Sequence, residues 1–574
     1  MTRTWTLLML TCLTLASVAF AQDEARLIGA PDMPPTRIAA DGTIAEAWGT
    51  MKLSLAVGGE TARVTSTDYT CDPFPVARTS LAGGGIRMDI DAFRAPIWPD
   101  GFDVVTAHLS NATGAPVATT VTATLPTEMG LGDTGGNMGG SYVLRLPDGL
   151  TPERKAREWG CATPASRLPG WARPNRACDP AFANIRAGMG GIPIIYRLKV
   201  APGSSHQVAI GLCESHWAIS GQRPFVLYVE GGEKRTVDCV AEFGQHVPAC
   251  LVFDGRDANN DGLLQVVSAP GPGAPDRNPI LNVIWVFPTG EYLDPGEVIA
   301  GRMNAAAEYY VDVGGPTDQD LYEGGELRFP ITVPAAGAAD LTFLLAPSPG
   351  HVPSPSEPLP SLVALRDAAA DVWNGWLSGL DRDLARAPGV RPALARIAMS
   401  QAQSDDFHLA VPEFGQAAGY SLATHAAVVA ALDEAGVHST AERLLRILWD
   451  AGAPDPFKPF ARIESGGWGG AADDGNAQAM ALYALAHHAV VTDDAGFAEL
   501  AWPAVDGAAK VLGAADSAWA KAALAEATKV AAMVGAETPD WAINEAAELA
   551  AAVKQLPTPS ETMAAAKQVL LAAR

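Results

Sequence analysis

At 574 residues with 48% apolar content, the chain is too long for one hydrophobic core and reads as about two to four domains. Lys and Arg are outnumbered 40 to 64 by Asp and Glu, and the resulting net charge of −24 argues against nucleic acid or another polyanion as a partner. The 57 glycines and 44 prolines, with only 18% charged residues, describe a turn-rich globular protein with few salt-bridged surface helices.

The first stretch, MTRTWTLLMLTCLTLASVAFAQ, combines Arg3, an apolar run and small residues at Ala19 and Ala21. That is the pattern of a secretory signal over residues 1–21. No later stretch has the roughly 18 uncharged apolar residues of a membrane span. The expectation is an exported protein without a membrane span, secreted or periplasmic. Beyond Cys12, six cysteines remain, at 71, 161, 178, 213, 239 and 250. An even count in an exported chain permits up to three disulfides, whose pairing spacing alone leaves open. No CxxC pair is present to suggest a zinc site.

Residues 22–346 carry β patterning, short β-branched runs separated by Gly/Pro turns, which predicts antiparallel β-sandwiches. FDVVTAHLSN (Phe102–Asn111) and VATTVTATLP (Val117–Pro126) are joined by a turn containing Gly114 and Pro116. IPIIYRLKVAPGSSHQVAIGL repeats the pattern around Pro202 and Gly203, and further strands are predicted at RPFVLYVEGG, ACLVFDG, GLLQVV and ILNVIWVF. The predicted division is one sandwich over 22–204, with a long disulfide-pinned loop between Asp133 and Arg186, and a second over 205–346. Residues 347–361 form a proline-rich linker.

From 362 to 574 the composition turns alanine-rich, with about nine predicted helices and no strand. YSLATHAAVVAAL is apolar on almost every face, as is GNAQAMALYALA. Between them, a helix opening on Ser439 and Glu442 sets Leu444, Leu445, Leu448 and Ala451 opposite Arg443, Arg446 and Asp450. Buried, amphipathic, buried: the alternation predicts two concentric layers, an α/α toroid-like domain, with a plain bundle as the alternative.

The segments ALDEAGVHSTAERLLRIL and DDGNAQAMALYALAHHAVVTDDAGFAELAWPAV resemble six-hairpin glycosidases of the glucoamylase and trehalase type. Asp474, Gly475, Gln478, Asp494, Phe497, Trp502 and Pro503 match a phrase that recurs in those families. The resemblance implies an α/α toroid and hydrolysis of a glycan. The helix before it begins GYSLATH, without the carboxylate those enzymes often carry there, and the helix count is short of twelve. Gln222–Phe287 resembles malectin-like carbohydrate-binding sandwiches, through its VEGG turn and asparagine-led last strand.

Inverting hydrolysis of a glycosidic bond needs an acid and a base roughly 6.5–9.5 Å apart. Asp405, Asp406, Glu413, Asp473 and Asp474 precede two buried helices, and neighbouring helix axes run about 8–10 Å apart. Asp474, at a helix start, suits the base, and Glu413 the acid. Trp468 between glycine pairs suits a sugar-stacking platform, with Phe457, Phe460, Asp473 and Gln478 beside it. An ordinary cap or solvated acid explains the same carboxylates, and His425, His487 and His488 read as packing residues. Toroid lyases use Tyr, His and Arg, for which only Tyr420, His408 and His425 are at hand.

Asp257, Asn259 and Asp261 have the first half of a calcium-loop spacing, while the twelfth position is Ser268; a polar turn fits them too. Glu214, His216 and Trp217 are candidates for a glycan surface or a buttressed turn, with Trp285 in the core. The leading expectation is an exported glycoside hydrolase-like protein acting on an oligo- or polysaccharide. It requires no cofactor, with structural calcium as an option. The alternative is a non-catalytic glycan-binding or scaffold protein.

Overall fold

The computed structural model describes residues 26–574 except 98–100, 140, 291–292, 348–351, 355–356, 405–406, 412–419, 450–459, 461, 464–465, 470–474, 514–515, 544–548 and 574. The signal expected over 1–21 lies outside the described residues. No described helix is long and apolar enough to cross a membrane.

The strands of the first half pair antiparallel, as the β-branched runs and Gly/Pro turns predict. A seven-stranded sheet contains Gly49–Val57, Val117–Thr124 and Glu326–Val333, and faces an eight-stranded sheet containing Arg63–Thr70, Val76–Gly83, Ile86–Ala95, Phe102–Asn111 and Ala338–Leu345. Leu53, Leu55, Val121 and Phe329 from one sheet meet Ile90, Val104, Leu109 and Phe343 from the other in one core. The last strand of each sheet therefore comes from residues after 325, and a second sandwich is inserted between 146 and 326.

That inserted sandwich pairs a five-stranded sheet (Trp159–Cys161, Ile194–Lys199, Leu263–Pro270, Phe225–Val229, Arg235–Val237) with a four-stranded one (Ala249–Arg256, Ser205–Leu212, Val283–Pro288, Tyr309–Asp312). Two single-turn helices decorate it, α1 (Cys239–Glu242) and α2 (Pro295–Ile299), each capped by an aspartate. The boundary drawn at 204/205 falls inside this unit, because Ile194–Lys199 pairs with Leu263–Pro270. Phe102–Asn111 and Val117–Thr124 also lie in different sheets, so their turn is an arch between layers and not a hairpin.

All six described cysteines are free thiols, so the disulfide-pinned loop is corrected. The loop is held by charge: Arg154 and Arg197 both bind Asp133. Arg186 donates to Asp318 at 2.6 Å, Asp320 at 2.8 Å and Tyr196 Oη at 3.0 Å. Burial pushes the thiols of Cys71 and Cys213 up to about 11 and that of Cys250 to about 12. They stay protonated at neutral pH, and a thiol oxidises through its thiolate.

The described part of the linker lies on the first sandwich, with Val352 buried in its core and Arg145 donating to the Ser354 carbonyl at 2.9 Å. Nine helices follow among the described residues. Leu365, Ala369 and Trp373 of α3 (Leu362–Trp376), with Ala395, Ala398 and Met399 of α4 (Val390–Met399), pack on the first sandwich. Residues 401–404 and 407–410 form a two-stranded hairpin that the helical composition gave no reason to expect.

The remainder makes alternating layers. α5 (Leu422–Glu434), α7 (Gly475–Thr492) and α9 (Ala518–Met533) pack side by side, and α11 (Glu561–Ala572) packs on α5 and α4. α6 (His438–Trp449) crosses α5 and α7, α8 (Ala495–Leu512) crosses α7 and α9, and α10 (Leu549–Lys554) joins α9 to α11. α5 and α7 are buried nearly all round, while α6 buries Leu444, Leu445 and Leu448 and exposes Arg443 and Arg446. The helix opens at His438, one residue before the predicted cap.

Candidate functional site

Of the rim expected to bind sugar, Glu413, Asp473, Asp474, Asp405, Asp406 and Phe457 lie outside the described residues. Trp468, Phe460 and Gln478 are described, and they form a core joint. Trp468 is 3% exposed and its Nε1 donates to the Leu448 carbonyl at 2.6 Å. Gln478 clasps the Trp468 backbone from α7, accepting its N–H at 2.9 Å and donating to its carbonyl at 2.8 Å. The glycine beside it is a packing requirement: Gly466 has φ +93°, and a Cβ there would sit 2.4 Å from the Gly507 carbonyl oxygen. Phe460 is buried against His425, with ring centroids 5.2 Å apart. Both rings are turned to the interior.

The suspected calcium residues do converge, on the arch between Ala249–Arg256 and Leu263–Pro270. Asp257 is fully buried, and its carboxylate accepts N–H groups from Gly203 at 3.0 Å, Gly262 at 2.9 Å and Asp261 at 3.2 Å. Asn259 accepts from the Asp261 N–H and Asp261 from the Leu263 N–H, both at 2.9 Å. These oxygens close the turn on backbone donors, which a cation would have to displace. The donor set does not fit a calcium cage as it stands.

An exposed aromatic cluster is assembled instead on the inserted sandwich. Glu214, at the end of Ser205–Leu212, is 2% exposed and its Oε1 accepts the N–H groups of His216 at 2.7 Å and Trp217 at 3.2 Å. Arg223 spans the buried carboxylates, donating to Glu214 at 2.7 Å and twice to Asp276 at 2.6 and 2.8 Å. Trp217 Nε1 donates to Asp276 at 2.7 Å, which fixes the indole. Burial opposes the charge on Asp276, but donors from Trp217, the Asn278 amide and Arg223 outweigh it and hold the carboxyl below its usual range.

Above this base stand three rings. His216 is exposed, and Trp217 and Trp171 are half-buried. Trp171 stacks near His216 with centroids 6.4 Å apart and planes at 26°, and His216 meets Trp217 edge-on at 4.7 Å. The Arg223 guanidinium lies 5.8 Å from the Trp171 ring centre. Trp285 is fully buried, as its apolar strand predicts. The sequence argument missed Trp171. Its signal was present in LPGWARP, an indole beside a glycine in an irregular loop.

A second concavity lies between the eight-stranded sheet and α3, with adjoining volumes of about 400 and 220 Å³ that share Arg78, Asp91 and Arg366. At its centre Arg78 grips Asp91 through two bonds of 2.6 and 2.7 Å, and Arg366 adds a third at 3.1 Å, while Asp68, Asp72, Asp89, Asp340 and Asp367 leave the lining acidic.

The chain matches no family model and no curated protein. Part of it is similar to a Bacteroides uniformis beta-glucuronidase at 14% identity and TM-score 0.19, over 46% of this chain and 28% of that one. The ANXUR2 extracellular domain from Arabidopsis thaliana is similar at 13% identity and TM-score 0.19, over 45% of this chain and 81% of that one. The plant receptor-like kinase FER gives 13% and 0.17 over the same shares. Similarity this low carries no functional inference.

Proposed function

We infer that the protein is an exported carbohydrate-binding protein whose inserted β-sandwich holds a glycan on the Trp171–His216–Trp217 surface. The observation that carries this reading is a set of partly exposed rings, of which Trp217 is tied from below to the Glu214–Arg223–Asp276 network. A sugar offers an apolar C–H face and a rim of hydroxyls, and an indole fixed as Trp217 is meets the face without losing side-chain freedom on binding. Arg223 is already committed to two carboxylates, and Glu214 and Asp276 leave the cluster one negative charge in excess. A neutral glycan therefore suits it better than an acidic one.

The test is a glycan array probed with the full chain. Binding to neutral glycans, weakened by at least about tenfold in both Trp171→Ala and Trp217→Ala, is the expected result. No binding, or binding untouched by either change, defeats the reading.

Hydrolysis by Glu413 and Asp474 is a further proposal on an incomplete toroid. It is supported by the direct packing of α5 on α7, since the two acids precede these helices in the sequence. Reducing-sugar release that disappears in Glu413→Gln and Asp474→Asn, with affinity retained, is its signature. A protein that binds but never turns over any glycan rules it out.

A further inference from the structure

Three helix ends meet at Asp433, far along the chain from the sandwich cluster. Asp433 lies one residue before the end of α5, His438 opens α6, and His488 is in the last turns of α7. The Asp433 side chain is fully buried, and its Oδ1 accepts from Nδ1 of His438 at 3.0 Å and Nδ1 of His488 at 2.8 Å. A carboxylate oxygen only accepts, so both imidazoles present Nδ1–H to the same atom. The other oxygen, Oδ2, is buried and has no hydrogen-bond partner among the described residues. As plain packing this is a poor arrangement: two donors share one oxygen while its buried twin has no partner among the described residues.

One donor atom from each of the three residues lies within 4.8 Å of the others. Zinc held tetrahedrally at 2.0–2.2 Å sets its donors roughly 3.3–3.5 Å apart. The two N–O spacings need open by only about half an ångström to reach that geometry. His488 is buried with its ring 4.6 Å from that of Phe497, while the His438 side chain is 36% exposed and leaves an entry path.

We propose that Asp433, His438 and His488 bind a divalent cation of the zinc class, with water completing the coordination on the His438 side. Two imidazoles and one carboxylate are a donor set that suits such metals. In the metal-bound form each imidazole turns an Nδ1 lone pair to the metal and carries its proton on Nε2. The Asp433 oxygen that has no partner among the described residues gains a charge to face. The ion ties α5, α6 and α7 together and therefore stabilises the folded helical part.

The experiment uses untagged full chain, stripped with a chelator, dialysed and titrated with zinc by calorimetry, with metal content read by mass spectrometry. One zinc per chain and a raised Tm are expected, and His438→Ala and His488→Ala should each weaken binding by at least about tenfold. His438, at a partly exposed helix start, keeps the test decisive if His488→Ala fails to fold. Cobalt(II) should give visible absorption bands that both variants lose. Absence of stoichiometric zinc, or affinity retained in either variant, overturns the proposal.

Discussion

Replacing Arg186 with methionine should be among the most damaging single changes in the inserted sandwich. The guanidinium is 1% exposed and faces Asp318, whose side chain is fully buried, together with Asp320. It also donates to Tyr196 Oη and to the Ala165 carbonyl, both at 3.0 Å. Burial alone would disfavour its charge, but the two aspartates more than offset that and hold its pKa well above the usual value. Methionine fills similar volume and leaves Asp318 buried with Tyr196 Oη and the Gly314 amide as donors and Arg167, 4.0 Å away and partly exposed, as its remaining cation. Removing the close partner of a buried charge costs about 3–5 kcal/mol, and the distant, partly exposed Arg167 sets the expectation at the lower end of that range. Urea unfolding followed by tryptophan fluorescence, with and without reductant, measures it. The sandwich transition should lose that amount, and reductant should change neither protein because the fold rests on ion pairs. A loss under about 1 kcal/mol, or a marked loss of stability of the unaltered chain in reductant, refutes the reasoning.

Acid should weaken the helical part through His425, which is fully buried and whose pKa burial lowers from 6.5 to about 4. Its Nδ1 accepts the Ala410 N–H at 3.3 Å and its Nε2 faces the Leu444 carbonyl at 2.9 Å, so the folded chain requires the neutral ring. Between pH 6.5 and 4 the unfolded chain takes up a proton that the folded one refuses, so stability falls by about 3 kcal/mol across that window. His425→Gln should flatten the fall, and an unchanged pH profile of Tm speaks against it. Trp468→Ala should cost about 3–5 kcal/mol in thermal unfolding, as a core indole does, with glycan affinity intact; lost affinity in a folded variant restores a binding role. Asp257→Ala strands three backbone N–H groups and should cost about 1–3 kcal/mol. Adding calcium should leave the Tm of the unaltered chain where it was, and a clear rise contradicts the turn account.

Local periodicity made much of this architecture legible. Phe102–Asn111 is a strand over its full predicted length, and α5, α6 and α7 show the buried, amphipathic, buried contrast their residues imply. The order of strands was not legible. A Gly/Pro turn such as Pro202–Gly203 says that the chain reverses, and an arch between sheets needs the same turn as a hairpin within one. Nothing local announces that Glu326–Val333 returns to pair with Val117–Thr124 across the whole inserted domain. Cysteine counting failed for a related reason: bridging depends on distances between strands, and arginines took over the fastening. Trp468 was misplaced because a glycine-flanked ring reads as exposed, although those glycines let the loop approach α8 closely enough to bury it.

The most direct measurement is calorimetric titration of the best array ligand into the unaltered chain and into Trp217→Ala, whose ring stands on Asp276 at the surface. The account predicts saturable binding to the first and an affinity lower by at least about tenfold for the second, with both proteins equally folded. Equal affinities would contradict it.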